Sequence, residues 1–352
     1  MKTEESNRQW VTRQPKADLH RHIEGGVRPE TIWRLQTEGK VGFRFSSLSA
    51  LKKKVSLSRP VKDWHEFFND FGIFQRVFTE GGPKATLAAV REEVEHAAEQ
   101  ENIDLLELRF SPQFMNGDVD AEQLRRSLKG RAEYPSAWDD HMEAIIQGCV
   151  AGSLGRDMKV GLMPLVSRNY GPASGMMTVA FARRWRPHVV GFDFAADESK
   201  SMTTQFAESA AAAHQLGLPL TVHTGEGYSS DYITHTLDTY GSAVRRLGHA
   251  VTVLDDPELV RRCRRDGITV ECCPTSNYLM GTIPSLRAHP LPRMIASGLR
   301  VCVNTDDPSL FGLTLNQEWE NCLNSIHLSR PQLLRMNATA RASSFITANS
   351  FQ

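Results

Sequence analysis

Two histidines stand one residue apart in "ADLHRHIEGG" (17–26), at the end of an apolar run. In an extended strand, residues i and i+2 face the same side, so His20 and His22 would aim two imidazoles at one point. A pair of that kind is equally compatible with a surface turn, and what decides is whether further ligands stand at equivalent places. Three more apolar runs end in such groups: "VHTGEG" brings His223 and Glu226, "LGHA" brings His249, and "NTDD" brings Asp306 and Asp307. Three imidazoles and a carboxylate, taken as His20, His22, His223 and Asp306, suit one Zn²⁺ held at about 2.0–2.2 Å. Iron, manganese or cobalt accept the same donors, so zinc is a first choice among several. A divalent ion there lowers the pKa of a water toward about 7, which makes hydroxide available at neutral pH. Glu226, three residues past a ligand, then reads as a general acid. His249 reads as the partner of the attacking hydroxide, and Asp307 as the group that orients water or substrate. Singly, each has a plainer explanation: Glu226 as a solvated turn acid, Asp307 as the cap of a following helix. Jointly they point to metal-assisted hydrolysis.

Such residues converge only if the elements carrying them lie side by side. Eight β-like runs recur along the chain, at 16–20, 103–110, 159–166, 189–195, 218–224, 244–250, 268–273 and 299–304. Most are near-continuous apolar stretches, as parallel strands buried on both faces require. Helical patterns fill the gaps at 85–100, 206–217 and 257–267, the last two ending in glycine. Eight strands alternating with helices predict an α/β fold, a (β/α)8 TIM barrel, whose reacting groups stand at the C-terminal strand ends. An open doubly wound sheet is the rival, but no strand is followed by a G-x-G-x-x-G or P-loop pattern. The triplet "HIE" (22–24) also matches the small zinc deaminases, yet the P-C-x-x-C those enzymes need is missing.

The segment 27–100 is read as a helical insertion after the first strand, within a single domain covering 1–352. Its "WHEFFNDF" places Trp64, Phe67, Phe68 and Phe71 at i, i+3, i+4, i+7, which is either ordinary core packing or an apolar lid over the barrel mouth. The 352 residues carry 41 basic and 41 acidic side chains, so no net field argues for nucleic acid or an anionic membrane. No stretch approaches the roughly 18 apolar residues of a membrane span. The polar, acid-bearing "MKTEESNRQW" is unlike a secretory signal, and a cytoplasmic location is expected. None of the six cysteines forms a C-x-x-C pair, and Cys272, Cys273 and Cys302 lie in apolar runs, as buried thiols of a reducing compartment would.

Together, "PKADLHRHIEGGVRPETI", "ELRFSP", "FDFAADE", "TVHTGE", "RLGHA", "ECCPTSN", "VNTDDPSLFG" and "NATARASSF" make the chain resemble the adenosine deaminase family, nearly end to end. The resemblance implies one zinc at the mouth of the barrel, attack of hydroxide on C6 of a 6-aminopurine, and loss of ammonia. His20, His22, His223 and Asp306 match the family's zinc ligands, Glu226 the acid that protonates purine N1, His249 the histidine beside the hydroxide. Asp307 matches the second aspartate, near the attacked carbon and N7. Three positions depart from the usual pattern. Glu24 stands where aspartate commonly serves the ribose 5′-hydroxyl, Ala196 where a glycine N–H meets purine N3, and Ala250 where "GHG" is usual. The small-molecule substrate expected is adenosine or 2′-deoxyadenosine. The alternatives are the same reaction on adenine, aminodeoxyfutalosine or an N6-substituted AMP, and, more remotely, a non-catalytic nucleoside-binding relative, which would be expected to have lost a ligand or the acid.

Overall fold

The computed structural model describes residues 5–118, 120–130, 133–199 and 203–347, apart from the side chains of residues 64, 65 and 68–70. Eight strands form one sheet: β1 (Lys16–His22), β2 (Ile103–Phe110), β3 (Lys159–Ser167), β4 (Phe192–Ala195), β5 (Leu220–Thr224), β6 (Val244–His249), β7 (Thr269–Cys272) and β8 (Arg300–Val303). They lie in chain order and every neighbouring pair is parallel. The ring closes just beyond β8. His22 N–H donates to Asp306 O at 2.9 Å, and Asp306 N–H to His20 O at 2.8 Å, so the closing bridge is built from candidate site residues. The fold is the (β/α)8 barrel that the alternating pattern predicts.

Helices cover the outside. Ala207–Gln215 and Pro257–Arg265 are each followed closely by a glycine at positive φ, Gly217 and Gly267, which ends the helix without the steric cost a Cβ would bring. Between β1 and β2 run the helices Pro29–Thr37, Leu48–Val55 and Trp64–Glu101. The pattern at 85–100 is the second half of that last helix, which breaks at Gly82 (φ 58°, ψ −158°) just before Pro83. Among the described residues no helix is long and apolar enough to cross a membrane. All six cysteines are buried free thiols.

The barrel interior differs from the apolar filling that the strand runs suggest. Glu107, Arg109, Asp193, Arg246 and Glu271 are all fully buried. Arg109 donates to Asp193 at 2.9 Å and to Glu271 at 3.0 Å, while Arg246 donates to Glu107 at 2.5 Å and lies 2.7 Å from Glu271. Buried charges are costly unless paired, and breaking one pair leaves the other charge stranded. This network therefore needs a reason beyond stability, and the site above it provides one.

Candidate active site

The metal-ligand candidates and His249 sit at or near the C-terminal ends of strands. His20 lies inside β1 and His22 ends it, His223 is in β5, His249 ends β6, and Asp306 follows β8. Ala196, His249, Ala250 and Asp306 have φ of 71°, 62°, 44° and 66°, a left-handed conformation uncommon outside glycine. Four such residues at strand ends on one rim, each costing on the order of 1 kcal/mol, mark a site where geometry is held against local preference. The two glycines after His22 have equally direct causes. A Cβ on Gly25 would stand 2.0 Å from Asp307 Oδ1, and one on Gly26 would stand 1.9 Å from Glu93 Oε1. Only glycine lets the first loop lie flat against these carboxyl groups.

The imidazoles and Asp306 converge. His22 Nε2 is 3.2 Å from His223 Nε2 and 3.3 Å from Asp306 Oδ1, and His20 Nε2 is 3.4 Å from the same oxygen. His249 is just as near: its donor atom, with those of His20, His223 and Asp306, forms a group lying within 4.8 Å throughout. His20 Nε2 is buried with no hydrogen-bond partner. On the far side of the rings, His20 Nδ1 lies 2.8 Å from Glu271 Oε2 and His223 Nδ1 3.2 Å from Asp193 Oδ1. Carboxylates behind two imidazoles fix the tautomer that leaves each Nε2 bare, the usual support of a metal-bound histidine. Burial keeps the His22 and His223 rings neutral, which is the ligating form. Burial opposes the charge of Asp193, yet His223 and Arg109 hold its carboxyl below the usual range. An orphaned buried nitrogen, neutral imidazoles and a carboxylate facing one point fit a divalent cation.

Beside this point opens a cavity lined by Glu24, Glu226, His249, Asp307 and Ala196, with Phe67, Phe71, Phe114, Leu165, Met280 and Phe311 as apolar walls. Glu226 is no solvated turn acid. It is 6% exposed, and burial, then the charges of Asp306 and Glu198, hold its pKa well above the carboxyl range. Its loop is held by Glu198, which accepts from Thr224 Oγ1 and from the backbone N–H groups of Gly225 and Glu226, each at 2.9 Å. Asp307 Oδ1 is buried without a partner, and burial followed by Asp306 drives that carboxyl up as well. Glu24 Oε1 accepts from Ser111 N–H at 2.6 Å, Oε2 has no partner, and burial pushes the pKa up to about 8. Phe67 and Phe71 stack on each other at 5.3 Å and belong to the core while also walling the cavity, so packing and lid are one surface. The side chains of Trp64 and Phe68 lie outside the described residues.

All the catalytic, ligand and substrate-side candidates thus meet at one mouth. Sequence reasoning passed over Asp193, Glu271, Arg109, Glu198 and Asn277. The available signal was a single acid inside an apolar strand, as in "FDFA" and "TVEC", which cannot stay buried without a partner.

A parallel barrel with imidazole and carboxylate donors gathered at its C-terminal mouth is the arrangement of a metal-dependent enzyme. The profile of the family described as "Adenosine deaminase" matches residues 15–351. A protein named adenosine deaminase from Edwardsiella ictaluri is 30% identical over 342 residues, 96% of this chain and 95% of that one. Another so named, from Pectobacterium atrosepticum, is 30% identical over 88% of this chain and 86% of its own. Among solved structures, an adenine deaminase from Arthrobacter aurescens superposes with a TM-score of 0.80 at 23% identity, over 95% of this chain and 94% of the other. An N6-mAMP deaminase from Arabidopsis gives 0.78 at 25%, over 97% and 96%. The chain belongs to the adenosine deaminase family, and it is a metal-dependent hydrolytic deaminase.

Proposed function

We propose that the protein deaminates adenosine or 2′-deoxyadenosine to the corresponding inosine and ammonia, with one zinc ion held by His20, His22, His223 and Asp306. The observation that carries the reading is the meeting of His22, His223 and Asp306, with His20 against Asp306 behind them, and the buried, proton-holding carboxyl of Glu226 on a single cavity wall. His249 is set apart from the ligands because its Nδ1 faces the side-chain amide of Asn277 at 3.1 Å and the proton-holding carboxyl of Glu226 at 3.3 Å, where His20 and His223 face the ionised carboxylates of Glu271 and Asp193. When bound, the metal supplies hydroxide at neutral pH by lowering the pKa of water. Glu226 gives its proton to ring nitrogen N1 as oxygen adds to C6, because addition there breaks the aromatic system and leaves electrons on N1. His249 holds the attacking oxygen. Asp307, with its free Oδ1, faces the C6 amino group and N7. Breaking of the C6–N6 bond, with a proton taken up by nitrogen, releases ammonia. No membrane-crossing helix occurs among the described residues, and a cytoplasmic setting fits the buried free thiols.

Two observations bear on the substrate. Relatives at 30% identity are named adenosine deaminase. The described residues lining the cavity include Glu24, Glu226 and Asp307 but no arginine or lysine. A phosphate dianion would meet carboxyl groups without a cation to pair with, which disfavours an AMP derivative. Glu24 Oε2, buried and unpartnered, suits a sugar hydroxyl. A site built to bond such a hydroxyl discriminates strongly against ligands lacking it. Adenosine is therefore expected to exceed adenine in kcat/KM, and Glu24→Ala to narrow that ratio chiefly by weakening the nucleoside. Steady-state rates on both compounds, with aminodeoxyfutalosine and N6-methyl-AMP alongside, test this. A preference for free adenine, or a ratio that ignores Glu24→Ala, would overturn the nucleoside assignment.

A further inference from the structure

Asn277 lies in the short helix Pro274–Leu279 after β7 and is fully buried. Its side chain joins three groups. Nδ2 is 3.2 Å from Glu226 Oε1 and 3.1 Å from His249 Nδ1, and Oδ1 is 3.2 Å from His289 Nε2. Which end of the amide faces which partner is set from outside the site. The backbone N–H of Leu291, which can only donate, points at His289 Nδ1 across 3.0 Å. His289 is 3% exposed, and burial pushes its pKa down to about 4, so the ring is neutral. A neutral imidazole that accepts at Nδ1 carries its proton on Nε2. His289 therefore donates to Asn277 Oδ1, and the amide NH₂ turns toward Glu226 and His249. An NH₂ group cannot accept, and the other group at His249 Nδ1, Glu226 Oε1 at 3.3 Å, belongs to a carboxyl that burial holds in its protonated form, so Nδ1 presents its lone pair and the proton of the neutral ring resides on Nε2.

We propose that His289 and Asn277 are positioning residues that lock His249 as the Nε2–H tautomer, a hydrogen-bond donor to the attacking oxygen, and leave Glu226 Oε2 as the oxygen that carries the acid's proton. The role of that oxygen rests on the deaminase reading above. The tautomer itself does not, since it follows from the hydrogen-bond directions together with the protonated carboxyl of Glu226. A ring with its proton on Nε2 has no lone pair there for a metal, which separates His249 from His20 and His223 although the donor atoms of all three lie within 4.8 Å of that of Asp306. Neither Asn277 nor His289 lines the substrate cavity, so both act through the residues they hold.

The tautomer is read directly from the nitrogen resonances of the His249 ring in the zinc-loaded protein, assigned by their loss in His249→Gln. The expected result is a protonated Nε2 and a bare Nδ1. Asn277→Asp is nearly isosteric but swaps the donor for an acceptor. It is expected to move the proton to Nδ1 and to cut kcat by about 10²-fold, the scale of lost acid–base geometry, with KM and zinc content little changed. A second pair guards against a folding defect at Asn277. His289→Gln keeps an N–H for the Asn277 oxygen and is expected to retain kcat far better than His289→Leu. A proton on Nδ1 in the wild-type protein would overturn the proposal, as would equal kcat in the Gln and Leu variants. Because the resonances are recorded without substrate, failure of the deaminase reading would leave this result standing. The reverse failure, a wrong tautomer in an active deaminase, would remove only the relay.

Discussion

Alanine at His20, His22, His223 or Asp306 is expected to release most of the bound metal and to lower kcat/KM for adenosine by on the order of 10³-fold or more, because water near the site then returns toward its bulk pKa. The expectation follows from how little redundancy the site has. Asp306 Oδ1 is within 3.4 Å of both His20 Nε2 and His22 Nε2, so losing one donor leaves the others facing one another with nothing between them. The four changes should not be equivalent in stability. Asp306 also closes the barrel through its backbone and accepts from Ser276 Oγ at 2.7 Å, and its φ of 66° is one alanine adopts no more readily. His22 is only partly buried, where the other three are buried, so His22→Ala should fold best and give the cleanest metal measurement. Elemental analysis of the four purified variants checks the assignment, and near-stoichiometric metal in all of them would refute it.

Glu226→Gln is expected to keep the metal and lose about 10²–10⁴-fold in kcat, the range of general acid–base catalysis. Glutamine fills the same space and can still meet Asn277, but it has no proton of the required acidity to give N1. Glu226 holds its proton because the carboxyl is only 6% exposed and faces the charges of Asp306 and Glu198. Rates on adenosine with metal content measured on the same sample separate this outcome from metal loss. A wild-type rate in a metal-replete Glu226→Gln protein would show that another group supplies the proton.

The strand-level pattern was legible because parallel strands buried on both faces leave near-continuous apolar runs, and all eight runs became strands within a few residues. The site's rim was legible for a related reason. A histidine or aspartate at the end of such a run has no cheap structural explanation, so His20, His22, His223, His249, Asp306 and Asp307 stood out by position alone. What lay beneath the rim did not stand out. Arg109, Asp193 and Glu271 sit inside their strands, and their pairing depends on which strands become neighbours across the barrel, which no local pattern encodes. Asn277 and His289 were invisible for the same reason, since their roles exist only through the Leu291 backbone and two other loops. The doubled glycine of "HIEGG" announced a close approach, but only the folded chain shows that Asp307 and Glu93 are what approaches.

Ammonia release from adenosine, measured on protein stripped of metal by a chelator and then titrated with zinc, tests the central claim most directly. The account expects no release from the stripped protein, and activity rising to a plateau at one equivalent of zinc per chain, with adenosine ahead of adenine. A rate that does not depend on the metal, or no ammonia from any aminopurine with zinc fully bound, would contradict it.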